Sequence, residues 1–194
     1  MDQLINTLLD RISRLNTGRT SIILAIDGRC AAGKTTFASE LQKKTGCCVI
    51  HMDDFFLRPQ QRTPQRLAQA GGNIDYERVL SEALIPLRKN ETACYRPYDC
   101  HTQSFKQPII VLPQPLIVFE GSYSCHPKLF SLYDYHIFIT LNPDEQLRRI
   151  EKRNGPQALS VFKDKWIPLE EKYFAQCRIE ENCQWSFKLS IPSI

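Results

Sequence analysis

Gly28-Arg29-Cys30-Ala31-Ala32-Gly33-Lys34-Thr35 has the pattern G-x-x-x-x-G-K-[ST] and directly follows an apolar run at 22–26. The two glycines let the backbone curl so that its N–H groups point at phosphate oxygens, and the helix that follows adds its positive dipole end. Lys34 would supply a charge to the outer phosphates, and Thr35 a hydroxyl ligand for magnesium. A glycine turn without a nucleotide is the alternative, but the strand before it favours a phosphate-binding loop. The residues expected to contact the nucleotide are Gly28, Arg29, Cys30, Ala31, Ala32, Gly33, Lys34, Thr35 and Thr36.

Length and composition predict one ordinary globular domain over residues 1–194. The chain is 42% hydrophobic and 24% charged, which is enough apolar content for a full core. Its net charge of +4 is mild, and the basic residues do not form the clustered stripe that nucleic-acid binding normally shows. A small polyanionic substrate explains this charge, so we expect a small-molecule partner and no nucleic acid.

The N-terminus and the cysteines give no sign of export or of a metal site. Residues 1–4 carry no positively charged leader, and no apolar run approaches the roughly eighteen residues that span a bilayer. We therefore expect a cytoplasmic protein with no membrane partner. The eight cysteines contain no C-x-x-C pair, so we expect reduced thiols and neither a zinc site nor a disulfide framework. The sequence is compatible with a homo-oligomer.

Short apolar runs alternate with helical patterns along the chain. Strands are predicted at 22–26, 47–51, 116–119, 135–140 and 185–189. Helices are predicted at 3–16, 35–44, 76–85, 143–153 and 166–174, with a long surface connection at 55–74. Asp75 stands where the N-cap of the third helix belongs, and Pro86 should end that helix. Solid apolar strands between helices predict an α/β fold: a P-loop NTPase three-layer sandwich with a mostly parallel central sheet and helices on both faces.

Acidic and aromatic residues follow the second predicted strand. Asp53 and Asp54 would lie at the carboxyl edge of the sheet, where ligands bind in open α/β folds. A carboxylate there could accept the proton of an attacking hydroxyl. Phe55 and Phe56 could offer a flat wall for a ring. The alternative is that one aspartate caps the turn and the phenylalanines belong to the core.

Three further groups could complete such a site. Glu120 ends a central strand, where a carboxylate usually contributes to a magnesium shell, although a structural glutamate is the alternative. Arg149 and Arg153 lie four residues apart on one helix face, and this pair could close over phosphates as a lid at roughly 149–165. Tyr98 could line a pocket for the phosphoryl acceptor.

These segments resemble the uridine kinase family, in order, over roughly residues 20–153. The matching segments are the phosphate loop from Asp27 to Thr35, Asp53-Asp54-Phe55-Phe56, Asn73-Ile74-Asp75 and Phe119-Glu120-Gly121. The resemblance implies ATP and Mg²⁺ as cofactors and the 5′-hydroxyl of uridine or cytidine as acceptor. It assigns catalysis to Lys34, Asp53, Arg149 and Arg153, magnesium binding to Thr35 and Glu120, and acceptor binding to Asp53, Phe55, Phe56, Asp75 and Tyr98. In this set Asp53 is the general base, and Asp75 binds ribose hydroxyls unless it is only a helix cap.

The chain departs from the family pattern at two places. The family has a base-reading histidine five residues after the tyrosine of its Tyr-Asp segment, and here that position, counted from Tyr98, is Gln103. The arginine-rich lid is also short, because it ends at Asn154-Gly155-Pro156. Recognition of uracil therefore does not follow, and the acceptor could instead be nicotinamide riboside, pantothenate or a sugar.

A regulatory nucleotide-binding protein without an acceptor is the alternative from another class. A GTPase switch would carry Asn-Lys-x-Asp and Asp-x-x-Gly, and neither pattern occurs in the chain. The sequence therefore favours an ATP-dependent kinase.

Overall fold

The structure is a computed structural model that describes residues 1–15, 18 and 21–189. Its strands are β1 (Ile22–Gly28), β2 (Cys48–His51), β3 (Ala93–Tyr95), β4 (Tyr98–Asp99), β5 (Ser104–Phe105), β6 (Ile109–Val111), β7 (Leu116–Glu120), β8 (Tyr135–Thr140) and β9 (Trp185–Lys188). Its helices are α1 (Asp2–Leu15), α2 (Lys34–Thr45), α3 (Pro64–Ala68), α4 (76–88), α5 (Pro127–Phe130), α6 (Pro143–Asn154), α7 (156–177) and α8 (Ile179–Asn182). Two 3₁₀ turns cover Met52–Phe55 and Pro59–Gln61. The last residue predicted for the first helix, 16, lies outside the described residues.

The central sheet contains five parallel strands in the order β2-β7-β1-β8-β9. Its middle strand β1 is buried along its whole length. Alternate β1 residues enter two separate cores, because successive side chains of a strand point to opposite faces. Ile23 packs with residues of α4 and α7, whereas Leu24 packs with residues of α1 and α2. The predicted α/β fold with a parallel sheet between helical layers is confirmed.

Helix α4 does not end at Pro86, as the sequence predicted, but continues to Arg88. A π turn at Val79–Leu84 precedes the proline, and there the N–H of Ile85 bonds to the carbonyl of Leu80, five residues back. The wider turn accommodates a residue that has no N–H to donate. Helix α7 repeats this arrangement, with a π turn at Phe162–Trp166 before Pro168, and it is longer than the predicted 166–174.

The connection predicted at 55–74 is more ordered than its composition indicates. It contains the turn Pro59–Gln61 and helix α3, and it is anchored by the buried side chains of Leu57 and Ile74. Within residues 1–15, 18 and 21–189, every helix is too short or too polar to span a lipid bilayer.

Candidate active site

The phosphate loop leaves β1 at Gly28 and enters α2 at Lys34. Gly28 and Gly33 have positive φ angles of 136° and 99°. A Cβ at Gly28 would lie 1.9 Å from the carbonyl oxygen of Ile139, so only glycine fits beside β8. No side chain caps the first turn of α2, which leaves its N–H groups available to an anion. The loop therefore fits a phosphate chain at the helix N-terminus.

The Lys34 side chain lies across this loop and is largely buried. Its Nζ donates to the carbonyl oxygens of Gly28, at 2.6 Å, and Arg29, at 3.0 Å, and it lies 3.4 Å from the hydroxyl of Ser122. These contacts hold the ammonium group at the mouth of the loop.

Oxygen ligands suited to magnesium meet between α2 and the end of β7. The Thr35 hydroxyl donates to Glu120, at 3.1 Å from Oε1 and 3.3 Å from Oε2. Within the described part of the chain, no cluster of three or more His, Cys, Asp or Glu side chains could hold a metal by itself. A hydroxyl and one carboxylate still fit magnesium, because this ion is usually bound by one or two protein ligands plus water and phosphate.

His51 was not expected at this site, and its Nδ1 lies 2.6 Å from Glu120 Oε1. Residues 51 and 120 are register partners in the parallel pair β2–β7. The hydrogen bond to Glu120 raises the pKa of His51 above its ordinary value, against the opposing effect of burial. Sequence could have indicated His51 only if the pairing of these two strands were known.

Asp53 and Asp54 lie in the 3₁₀ turn Met52–Phe55 that follows β2. Asp53 is exposed to solvent, but the surrounding protein partly desolvates its carboxylate, which raises its pKa. The positive charge of Lys34 opposes this rise, so Lys34 and Asp53 are close enough to interact electrostatically. Asp54 is half-buried and accepts a hydrogen bond from the Tyr95 hydroxyl at 3.3 Å.

The predicted aromatic wall is only partly present. Phe55 is completely buried against Tyr95, with ring centroids 4.9 Å apart, so it supports the turn from within the core and offers no open face. Phe56 is half-buried and pairs with Ile74 through an isolated β-bridge. Tyr98 is buried beside the turn Met52–Phe55.

The structure places Asp75 as the N-cap of α4. It is 1% exposed, its Oδ1 accepts the N–H of Arg78 at 3.2 Å, and its Oδ2 accepts Nε2 of Gln61 at 2.7 Å. Both carboxylate oxygens are therefore paired within the chain. This geometry corresponds to the helix-cap alternative for Asp75.

Of the two lid arginines, Arg149 lies against the phosphate loop and Arg153 does not. Arg149 Nη1 donates to the carbonyl of Ala31 at 3.4 Å, while its Nε is held by Glu145 at 2.6 Å. Arg153 is exposed and contacts the side chain of its neighbour Asn154. Gly155, with φ of 81°, ends α6 directly after this pair.

Helix α7 holds the loop through acidic residues that the sequence did not indicate. Glu170 accepts the backbone N–H of Cys30 at 2.9 Å and the hydroxyl of Ser122 at 2.6 Å. Arg29 makes two hydrogen bonds to Glu171, of 2.7 and 3.0 Å, so its side chain is an anchor between loop and helix. These glutamates belong to no local motif. Their contacts join helix α7 to a loop about 140 residues earlier in the sequence.

Asp27, directly before the loop, joins three chain segments. Its fully buried carboxylate accepts hydrogen bonds from the N–H groups of Gly28, Tyr123 and Cys125 and from the Tyr173 hydroxyl. Burial raises its pKa to about 6, although the N–H groups of Cys125 and Gly28, the charge of Lys34 and the Tyr173 hydroxyl oppose the shift.

Comparison with known proteins agrees with this geometry. No family model matches the chain. It is 28% identical over 144 residues to a uridine kinase of Ureaplasma parvum, covering 70% of this chain and 69% of the relative. It is 30% identical over 164 residues to nicotinamide riboside kinase 2 of Mus musculus, covering 78% of this chain and 79% of the relative.

Two solved structures share the fold. A possible uridine kinase from Bacillus stearothermophilus superposes with a TM-score of 0.71 at 20% identity, over 96% of this chain and 100% of that one. A D-glycerate 3-kinase from Cryptococcus neoformans superposes with a TM-score of 0.68 at 14% identity, over 99% and 97% of the two chains. The family resemblance predicted from the sequence is confirmed, and the chain belongs to the uridine kinase-like family of P-loop kinases.

Proposed function

We propose that this chain transfers the γ-phosphoryl group of ATP to the 5′-hydroxyl of a nucleoside, uridine or cytidine, with Mg²⁺ as cofactor. The proposal rests on one observation: the candidate base, Asp53, and the phosphate-binding loop lie at the same edge of the central sheet. Asp53 follows β2, the loop follows β1, and Lys34 of the loop lies within the electrostatic field of Asp53. In-line phosphoryl transfer depends on such positioning and on charge neutralisation more than on covalent chemistry.

Each residue has a defined part in this proposal. The loop N–H groups and Lys34 bind the phosphates, and Arg149 adds a second positive charge beside Ala31. Thr35 and Glu120 would hold Mg²⁺, which supplies charge neutralisation on the phosphate oxygens when bound. Asp53 accepts the proton of the attacking hydroxyl, and its raised pKa brings it closer to the value at which a general base works well. Arg153 would contact the phosphates only after the lid segment at roughly 149–165 moves.

Nicotinamide riboside is a second candidate acceptor. The mouse relative is named as a kinase of that compound, and the family's base-reading histidine is replaced by Gln103 here. Pantothenate and sugars remain further alcohols to be tested, and a regulatory nucleotide-binding protein is the alternative without an acceptor.

Release of ADP from Mg-ATP tests the proposal when it is measured against a panel of uridine, cytidine, nicotinamide riboside, pantothenate and simple sugars. We expect turnover with a pyrimidine nucleoside and none with Lys34→Ala. Turnover of nicotinamide riboside alone would identify that compound as the acceptor in place of a pyrimidine nucleoside. Tight ATP binding with no turnover of any acceptor would overturn the kinase assignment and favour the regulatory alternative.

A further inference from the structure

Two buried hydrogen-bond donors without partners lie beside the acidic turn. Among the residues that the structure describes, three buried side-chain polar atoms have no hydrogen-bond partner: Nη1 of Arg78 and the hydroxyls of Tyr98 and Tyr133. Arg78 is 9% exposed and Tyr98 5% exposed. Buried polar groups are nearly always paired, so each exception requires an explanation.

The Arg78 guanidinium is fixed in place. Nε and Nη2 bind the carboxylate of Glu82 at 2.8 and 2.7 Å, and Nη2 also donates to the carbonyl of Arg96 at 2.6 Å. The ring of Phe105 lies 4.7 Å from the guanidinium carbon and that of Phe55 lies 5.3 Å from it. A planar fork held in this way cannot turn to find another partner, so Nη1 stays a pre-oriented donor.

Both donor residues pack against the acidic turn that carries Asp53. Phe55, which packs on Arg78, belongs to the same turn as Asp53. Strand β4, which carries Tyr98, packs against that turn. The Tyr98 ring meets the edge of Phe105, with centroids 5.5 Å apart, so Phe105 contacts both donor residues.

Tyr133 shows that a missing partner does not by itself mark a site. Its ring packs among Phe119 and His136, with centroids 5.5 and 5.8 Å away, within the hydrophobic core. What distinguishes Arg78 and Tyr98 is their shared contact with Phe105 beside the acidic turn.

We propose that Arg78 determines acceptor specificity by donating a hydrogen bond from Nη1 to an oxygen of the acceptor, beside Tyr98, to which the family resemblance already assigns acceptor binding. The oxygen is a carbonyl, as in a pyrimidine ring, or a carboxylate, as in a hydroxy acid. A guanidinium nitrogen can only donate, so an acceptor that presents an apolar or cationic group there would leave it unpaired. This inference rests on the proposed kinase function.

Arg78→Lys and Tyr98→Phe test the proposal by steady-state kinetics and calorimetric binding, with uridine as the carbonyl probe and D-glycerate as the carboxylate probe. Lysine keeps the charge but loses the planar fork. We expect Arg78→Lys to raise the KM and Kd of the recognised probe about 10- to 100-fold, and Tyr98→Phe to raise them up to about tenfold, with the KM of ATP unchanged.

Matched controls separate recognition from structure. Arg66 also binds a glutamate through two nitrogens, at 2.7 and 2.8 Å, and stacks 4.0 Å from the Tyr76 ring, but each of its side-chain nitrogens already has an acceptor. Arg66→Lys should therefore lose comparable stability and leave the KM of the acceptor within twofold. Tyr133→Phe should do the same for the tyrosine. If Arg78→Lys does not fold, Tyr98→Phe against Tyr133→Phe carries the test.

Each outcome bears on one proposal or the other. The wild-type preference between the two probes identifies the oxygen as a carbonyl or a carboxylate, and either supports the inference if the variants respond as expected. Equal effects of the test and control variants would overturn it. So would a wild-type enzyme that binds neither probe but phosphorylates an alcohol without either group, such as glycerol, and in that case the kinase assignment would stand. An enzyme that binds Mg-ATP but neither binds nor phosphorylates any acceptor would overturn both.

Discussion

The Glu170 carboxylate accepts the backbone N–H of Cys30 at 2.9 Å, so a side chain from α7 fixes the backbone of the phosphate loop. The same carboxylate binds the Ser122 hydroxyl, which lies 3.4 Å from Lys34 Nζ. Glu170 therefore supports the backbone of the loop directly and the position of its lysine through Ser122.

Glu170→Ala should weaken ATP binding without abolishing catalysis. Loss of two buried hydrogen bonds to a charged group costs about 2 kcal/mol or more and frees the loop, so we expect the KM of ATP to rise roughly tenfold or more. Steady-state kinetics and thermal unfolding measure both effects. Glu181→Ala removes an exposed carboxylate that pairs with Arg178 and serves as the control. An unchanged KM in Glu170→Ala would mean that the loop keeps its shape without this contact.

Lys34→Ala should abolish phosphoryl transfer while the fold stays intact. Stabilisation of charge on a transferring group is worth several kcal/mol, so we expect turnover to fall by at least about 10²-fold. Lys43→Ala, on the same helix but exposed and paired with Glu40, should change turnover little. Circular dichroism would verify folding of both variants. More than a tenth of wild-type turnover in Lys34→Ala would contradict the role of this residue.

Asp53→Asn and Asp54→Asn should separate the two neighbouring acids. Removing a general base lowers kcat by roughly 10²-fold or more with little change in ATP affinity, and we expect this for Asp53. Asp54 is half-buried and bonded to Tyr95, so its replacement should affect turnover much less. Measured kcat values for the two variants decide the matter. A reversed order would place the base at Asp54.

Asp75→Ala should lower the free energy of unfolding by about 1–2 kcal/mol, because it removes the N-cap of α4 and the acceptor of the Gln61 Nε2 group. Chemical denaturation measures this loss. A ribose contact by Asp75 would also make 2′-deoxyuridine a much poorer substrate than uridine for the wild-type protein. Equal kcat/KM values for these nucleosides would leave Asp75 with the structural role alone.

His126 should give a pH-dependent loss of stability in mild acid. Burial lowers its pKa to about 4 from 6.5, so below pH 6.5 the unfolded chain binds a proton that the folded chain does not. Stability is then lost as the pH falls towards 4, by about 2 kcal/mol at pH 5 relative to pH 8. His126→Asn keeps an acceptor for the N–H of Lys128 but does not titrate. Denaturation curves at both pH values should show a smaller pH dependence in the variant, and equal dependences would refute this assignment.

Local patterns predicted much of the fold and the core of the site. Residues close together in sequence encode the glycine spacing of the loop, the apolar strands and the acidic strand ends. Glu120 lies beside Thr35, as expected of a residue at the carboxyl end of a parallel strand. The burial of Phe55 was not predictable, because a residue after a strand end can face either core or solvent. The course of α4 past Pro86 depends on a π turn that leaves no composition signal.

Contacts between distant segments account for the rest. The bonds from Glu170 to the loop and from Gln61 to Asp75 depend on how helices and turns pack after folding. Neither glutamate nor glutamine has a spacing that marks such a role. A single sequence identifies residues that serve a local motif, whereas the residues that hold this motif in place become visible only in three dimensions.

The four hydrogen bonds to Asp27 have a consequence for the order of events during synthesis. Their donors belong to Gly28 at the end of β1, to residues 123 and 125, and to Tyr173. A nascent chain that has emerged only as far as α6 would already carry the complete phosphate-loop motif, but its central carboxylate would lack the Tyr173 hydroxyl and its loop would lack Glu170. We therefore expect nucleotide affinity to arise only after α7 has been synthesised and has docked, although the motif itself leaves the ribosome earlier.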